Sequence, residues 1–134
     1  MTQTTAPTPA RTEVTEAQVR TAVRAFAQAL AESPQFQAFE QAADRFRQDE
    51  TAQSAFQAYR AKQQSLQAML MLNAVGSEDQ AELKRLYQTF TAQPSTAAYM
   101  QAQEELAALC QAAADLLSAR LGLDFAATCG PGCC

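Results

Sequence analysis

The stretch Pro94–Leu121, PSTAAYMQAQEELAALCQAAADLLSARL, decides the fold class. Pro suits the first turn of a helix, where its missing N–H is not needed. From there Tyr99, Ala102, Leu106, Leu109, Ala113 and Leu116 recur at intervals of three and four, which places them on one helical face. Leu123 follows one heptad later, and Gly122 stands where a helix C-cap glycine belongs. The stretch predicts a long amphipathic helix with a coiled-coil-like seam.

Working toward the N-terminus, the same grammar repeats. Ser77 followed by Gln80 reads as a capping box, opening a helix that carries Leu83, Leu86 and Phe90. Asn73–Gly76 is the break before it. Asp49 can cap a long helix carrying Ala52, Phe56, Tyr59, Gln63, Leu66 and Leu70. Another runs from Pro34 to about Arg47 with Phe36, Phe39, Ala43 and Phe46 as its stripe; a break and a kink near Gln48-Asp49 are both open readings. The first starts near Thr15, carries Val19, Val23, Phe26 and Leu30, and ends at Ser33-Pro34, since Pro disfavours helical geometry in the residue before it. An echo links two of these helices: Pro34, Phe39, Gln41 and Ala42 match Pro94, Tyr99, Gln101 and Ala102 in spacing.

The expected fold is all-α, an antiparallel helical bundle of about five helices with coiled-coil-like seams. Residues 1–13 read as a disordered lead-in, 14–122 as the helical domain, and 123–134 as a non-helical cysteine-rich tail. Composition agrees. The chain has 134 residues, 48% of them hydrophobic, with 30 Ala and no Ile, a balance that favours helix over strand. Ala seams allow close helix approach but bury little area per residue, so the core is thin. Small helical domains in that position complete their core by associating. The expected partner is a second copy, as a dimer or higher oligomer, or a related helical chain.

His is absent. Without imidazole there is no Ser-His-Asp or Cys-His nucleophile pair and no His-based zinc protease site. Carboxylate pairs exist at Asp49/Glu50, Glu78/Asp79 and Glu104/Glu105, each read as lying near a helix start where negative charge suits the macrodipole. Adjacent side chains point to different faces, so these do not make acid/base pairs. The chain is not read as an enzyme. Its net charge of −4 and scattered basic residues argue against direct nucleic-acid binding. Tyr59, Arg60, Lys62 and Gln63 read either as a polar contact surface or as Tyr59 in the seam with the rest in solvent. No apolar run approaches the ~20 residues of a membrane span, and Met1–Ala10 lacks the apolar core of a secretory signal. The expected location is cytoplasmic, where thiols stay reduced.

Three of the four cysteines fall in the last six positions: Cys129, then Gly130-Pro131-Gly132, then Cys133-Cys134. Such a segment supplies three thiolates close together, and with no His any metal is held mainly by sulfur. Zinc sites and iron–sulfur clusters generally take four ligands, so the fourth comes from Cys110, a small molecule or another subunit. Cys110, beside Leu109, reads as a small core thiol rather than a ligand. Thiol redox chemistry is a further reading of the tail.

The order Phe56-Gln57-Ala58-Tyr59-Arg60-Ala61-Lys62-Gln63, Gln93-Pro94, Tyr99-Met100-Gln101-Ala102-Gln103 and Gly122-Leu123-Asp124-Phe125, closed by the cysteine tail, resembles the YlbF/YmcA family of small helical bacterial regulators. The resemblance spans about Val14 to Cys134. It implies a non-enzymatic regulator that associates with paralogues and with a third protein. It further implies action alongside an RNase Y-type endoribonuclease in mRNA maturation, with effects on competence, sporulation and biofilm development. It implies an iron–sulfur cluster held by Cys129, Cys133 and Cys134. Read from the residues alone, the alternative is a thiol-based zinc or copper(I) carrier or redox sensor acting through the same three cysteines. Cys110 has no counterpart in that motif.

Overall fold

Local chemical signals set most of the helix ends, and tertiary pairing follows from where those ends fall. The computed structural model describes residues 13–129. Among them are six helices and no strand: α1 (Glu16–Ala31), α2 (Pro34–Gln48), α3 (Glu50–Met71), α4 (Ser77–Thr91), α5 (Pro94–Leu121) and α6 (Phe125–Cys129). The all-helical class is as expected. The sixth helix is a correction, because it occupies part of the tail read as non-helical. The lead-in up to residue 12 and the segment after Cys129 lie outside the described residues.

The chain divides into two units between Glu32 and Ser33. The first contains α1. Thr15 caps it, accepting from the Gln18 N–H at 3.3 Å while the Gln18 side chain accepts from the Thr15 N–H at 2.8 Å. This reciprocal pair satisfies two N–H groups that the first turn would otherwise leave open. No α1 residue is buried. Val19, Val23 and Phe26 on its apolar stripe are 52%, 58% and 50% exposed.

In the second unit, Pro34 and Pro94 occupy the first turns of α2 and α5, as their sequence positions predict. Ser33 caps α2 by accepting from the Phe36 N–H, and Asp49 caps α3 by accepting from the Ala52 N–H. Gly122 ends α5 in the left-handed conformation at φ 67°. The expected capping box at Ser77 does not form. Gly76 takes the cap position, Ser77 becomes the first helical residue, and no side chain caps α4.

The contacts run in opposite order along the two halves of this unit. Phe39 meets Tyr99, Phe46 meets Phe90, Tyr59 meets Tyr87 and Lys62 meets Asp79. The unit is therefore an antiparallel hairpin. One arm is α2 and α3, the other is α4 and α5, and the turn lies at 72–76. At one end α2 pairs with α5; toward the turn α3 pairs with α4. The two arms lie side by side.

Packing follows from that thinness. Among the described residues the buried apolar side chains are Ala42, Ala52, Leu66 and Ala102, with Thr96 buried beside them. Around them an aromatic ladder fills the seam. Phe46 stacks on Tyr99 at 5.3 Å and approaches Phe90 at 6.0 Å, and Phe56 approaches Phe90 at 5.2 Å. The echoed positions of the sequence face each other, with Phe39 against Tyr99 and Ala42 and Ala102 lining one groove. Small residues there let the α2 and α5 backbones approach closely.

Candidate functional site

The thiol segment is positioned by the end of α5. Gly122 reverses the chain, which an L side chain would do only under strain. The Phe125 N–H then donates to Ser118 Oγ at 3.1 Å, tying the start of α6 to the last turns of α5. Asp124 caps α6 by accepting from the Ala127 N–H at 3.1 Å, and Thr128 Oγ1 donates back to the Asp124 carbonyl at 2.7 Å. A shallow groove lined by Gln111, Asp115, Ser118, Asp124 and Ala126 runs between the two helices. Cys129 is the last residue of α6, so the chain leaves this end of the hairpin from a fixed backbone.

Of the three expected ligands, Cys129 is placed by its backbone as the end of α6, and Cys133 and Cys134 lie outside the described residues. Among the described residues no group of three or more Cys, Asp or Glu side chains could hold a metal ion. Cys110 corrects the reading of a core thiol, for it is a free, exposed cysteine on α5. Cys110 sits one position off the stripe, on a face turned away from its neighbour Leu109. That stripe faces the seam through Tyr99, Ala102, Leu106, Leu109 and Ala113, then loses its partner because α2 is much the shorter helix. Past the start of α2, Leu116 is 70% and Leu121 57% exposed.

The charged candidates resolve individually. Asp49 and Glu50 cap and open α3, and Glu78 and Asp79 lie in the first turn of α4. Glu104 and Glu105 sit inside α5 rather than near its start, which corrects that placement. Lys62 is not left in solvent. Its Nζ donates to Asp79 Oδ1 at 2.7 Å across the hairpin, with both side chains about three-quarters covered. That bond holds the Asp79 carboxyl below the usual carboxylate range. Tyr59 does sit in the seam, against Tyr87 and Phe90. Gln63, expected in the stripe, is exposed, and Lys62 takes the inward position.

Sequence reasoning passed over a polar junction where the arms cross. Ser95 Oγ donates to Asp49 Oδ2 at 2.7 Å, and Gln53 Nε2 donates to the Phe46 carbonyl at 2.9 Å. The Ser95 bond first, and then the Ala52 N–H, hold the Asp49 carboxyl below its ordinary value. Asp49 was legible as a cap; its long-range partner had no local signal.

The second unit is thus a thin helical hairpin, and among the described residues no metal constellation is assembled. No helix of the described residues is long and apolar enough to cross a membrane. The family described as "Control of competence regulator ComK, YlbF/YmcA" matches residues 19–121. The chain belongs to the YlbF/YmcA family. The match takes in α1 from Val19 and the whole hairpin to the end of α5, so the family's regulatory character attaches to the helical part. Cys129, Cys133 and Cys134 fall beyond the matched residues. No curated protein and no solved structure matches this YlbF/YmcA chain.

Proposed function

We propose that this protein is a non-enzymatic, cytoplasmic regulatory adaptor. It associates with itself or with related helical chains and influences RNA processing and developmental regulation, working beside an RNase Y-type endoribonuclease. The observation that carries this reading is the match of the competence-control family to the helical part of the chain. The hairpin supports it physically, since long helices only two across leave apolar faces available to other proteins.

The adaptor carries a thiolate-held iron–sulfur cluster on Cys129, Cys133 and Cys134. The donor set fits. Three thiols follow a capped turn, His is absent, and no described carboxylate cluster competes for a metal. A cluster would supply a redox- or oxygen-sensitive link between subunits. This chain's residues contribute the ligands and, through Gly122, Asp124 and Ser118, their anchoring to α5.

Anaerobic purification from the native host, reading bound proteins, iron and absorbance near 400 nm together, tests the proposal. Cys133→Ser with Cys134→Ser leaves the helical circular dichroism unchanged and abolishes metal loading. Unchanged metal content in that variant rules the tail out as the site.

Exposure of Cys110 favours a second reading, a zinc or copper(I) carrier or redox sensor in which one chain supplies all four thiols. Tight stoichiometric zinc binding by the isolated chain, lost in Cys110→Ser, would select it over the adaptor.

A further inference from the structure

We infer that the turn joining the two arms is a lipid-binding tip, which dips Leu70, Met71 and Leu72 into the surface of a membrane. This end of the hairpin lies opposite the thiol segment, and neither the cluster nor the family match bears on it. Four observations carry the proposal.

The first is exposure at the end of a rod. α3 continues to Met71 past Lys62, whereas α4 begins at Ser77, just before Asp79. The Lys62–Asp79 bond therefore leaves α3 overhanging α4 by roughly 10 Å. On the overhang Met71 and Leu72 are 90% and 79% exposed, the highest of the large apolar side chains among the described residues, and Leu70 is open beside them. Chain length makes this independent of α1. That helix is ~24 Å long and ends just before Ser33, while the arm from Ser33 to Met71 holds ~55 Å of helix.

The second is direction. Successive helical residues turn by about 100°, so three in a row ring the tip instead of sharing a face. A flat protein surface meets one of them at a time. A fluid lipid interface closes around all three.

The third is a satisfied backbone. Burying a turn in an apolar medium strands its N–H groups unless the chain pairs them itself. Here the Leu72 and Ala74 N–H groups donate to the Met69 carbonyl at 3.1 and 3.0 Å, and the Asn73 N–H donates to the Leu70 carbonyl at 3.1 Å. Asn73, at φ 57°, permits this closure, because Asn tolerates the left-handed conformation.

The fourth is charge. Residues 63–77, QQSLQAMLMLNAVGS, contain no Asp, Glu, Lys or Arg. Beyond them Lys62 and Asp79 cancel, and Glu78 leaves the border acidic. Uncharged headgroups therefore suit the tip better than anionic ones. Three side chains hold fewer apolar carbons than one myristoyl chain, so binding is reversible, half complete at on the order of 1 mM lipid.

Flotation of the full chain with phosphatidylcholine vesicles, reductant and chelator present, tests the proposal. Met71→Asp lowers the bound fraction at least ~10-fold, and Met71→Leu keeps it. Both variants melt as wild type does, because position 71 is exposed. The chain has no Trp, so Leu72→Trp adds a reporter at the tip alone. Its emission shifts to the blue as lipid is added, and brominated acyl chains quench it. Replacing roughly a third of the lipid by phosphatidylglycerol weakens binding, and added salt restores it. Four results overturn the proposal. Wild type stays unbound at ~10 mM lipid. Flotation is unchanged by Met71→Asp. Binding is tighter to phosphatidylglycerol and lost in salt, which places the contact on a basic surface elsewhere. The Trp shift follows protein concentration without vesicles, which assigns the tip to a second copy of the chain.

Discussion

Ser95 donates a 2.7 Å hydrogen bond to Asp49 across 46 positions of sequence, joining the start of α5 to the cap of α3. The same carboxylate accepts from the Ala52 N–H at 3.1 Å. One side chain thus terminates a helix and clamps two arms.

Removing it should cost more than an ordinary cap. Asp49→Ala is expected to lower the urea midpoint of the hairpin by more than the loss of an N-cap alone, because it also removes the hydrogen bond from Ser95. Ser95→Ala removes the clamp alone and should cost about 1 kcal/mol. The two changes should be non-additive in a urea-unfolding double-mutant cycle. Full additivity would show that the Ser95 bond contributes nothing.

Acid should weaken the fold in a defined window. Asp49 is held low by Ser95 and Asp79 by Lys62, and Glu82 is held low by Arg85. A carboxylate depressed in the folded state stabilises it above the unfolded value of about 4 and loses that contribution as pH falls through the folded value. The melting temperature should therefore be level from pH 7 to about 5 and decline below about 4. Asp49→Asn with Asp79→Asn should start lower and decline less. An equally steep decline would place the acid sensitivity elsewhere.

Thr96 offers a stabilising change. Its side chain is fully buried, and its hydroxyl has no hydrogen-bond partner among the described residues. Val has the same shape and the same branching, so Thr96→Val removes an unsatisfied polar group without altering the packing or the χ1 preference. A gain of about 1 kcal/mol in denaturant unfolding is expected. A loss instead would show that the hydroxyl is satisfied in solution.

The features that could be read in advance are those whose chemistry is local. Pro34 and Pro94 at helix starts, Asp49 as a cap and Gly122 as a stop each depend on the backbone within one turn. Thr15 with Gln18 and Ser77 with Gln80 present the same capping pattern, yet only the first forms. Gly76 takes the cap at the second, and nothing in the four-residue pattern distinguishes them.

What escaped was set by pairing. The stripe of α5 is continuous in sequence, but α2 covers only part of it, so Leu116 is exposed although it matches Leu109 in pattern. Cys110 is exposed for a different reason, lying off the stripe beside Leu109. Lys62 replaced Gln63 on the inner face because Asp79 stands across the hairpin, a partner 17 positions away. Of the candidate thiol site, the spacing of the cysteines was legible, and the structure adds the turn that anchors Cys129.

The helical ladder is interrupted in both arms, between Gln48 and Glu50 in one and between Thr91 and Pro94 in the other. The Ser95–Asp49 bond puts those interruptions side by side. The hairpin thus carries a transverse crease, a line where both helical ladders break together and a single carboxylate spans the gap.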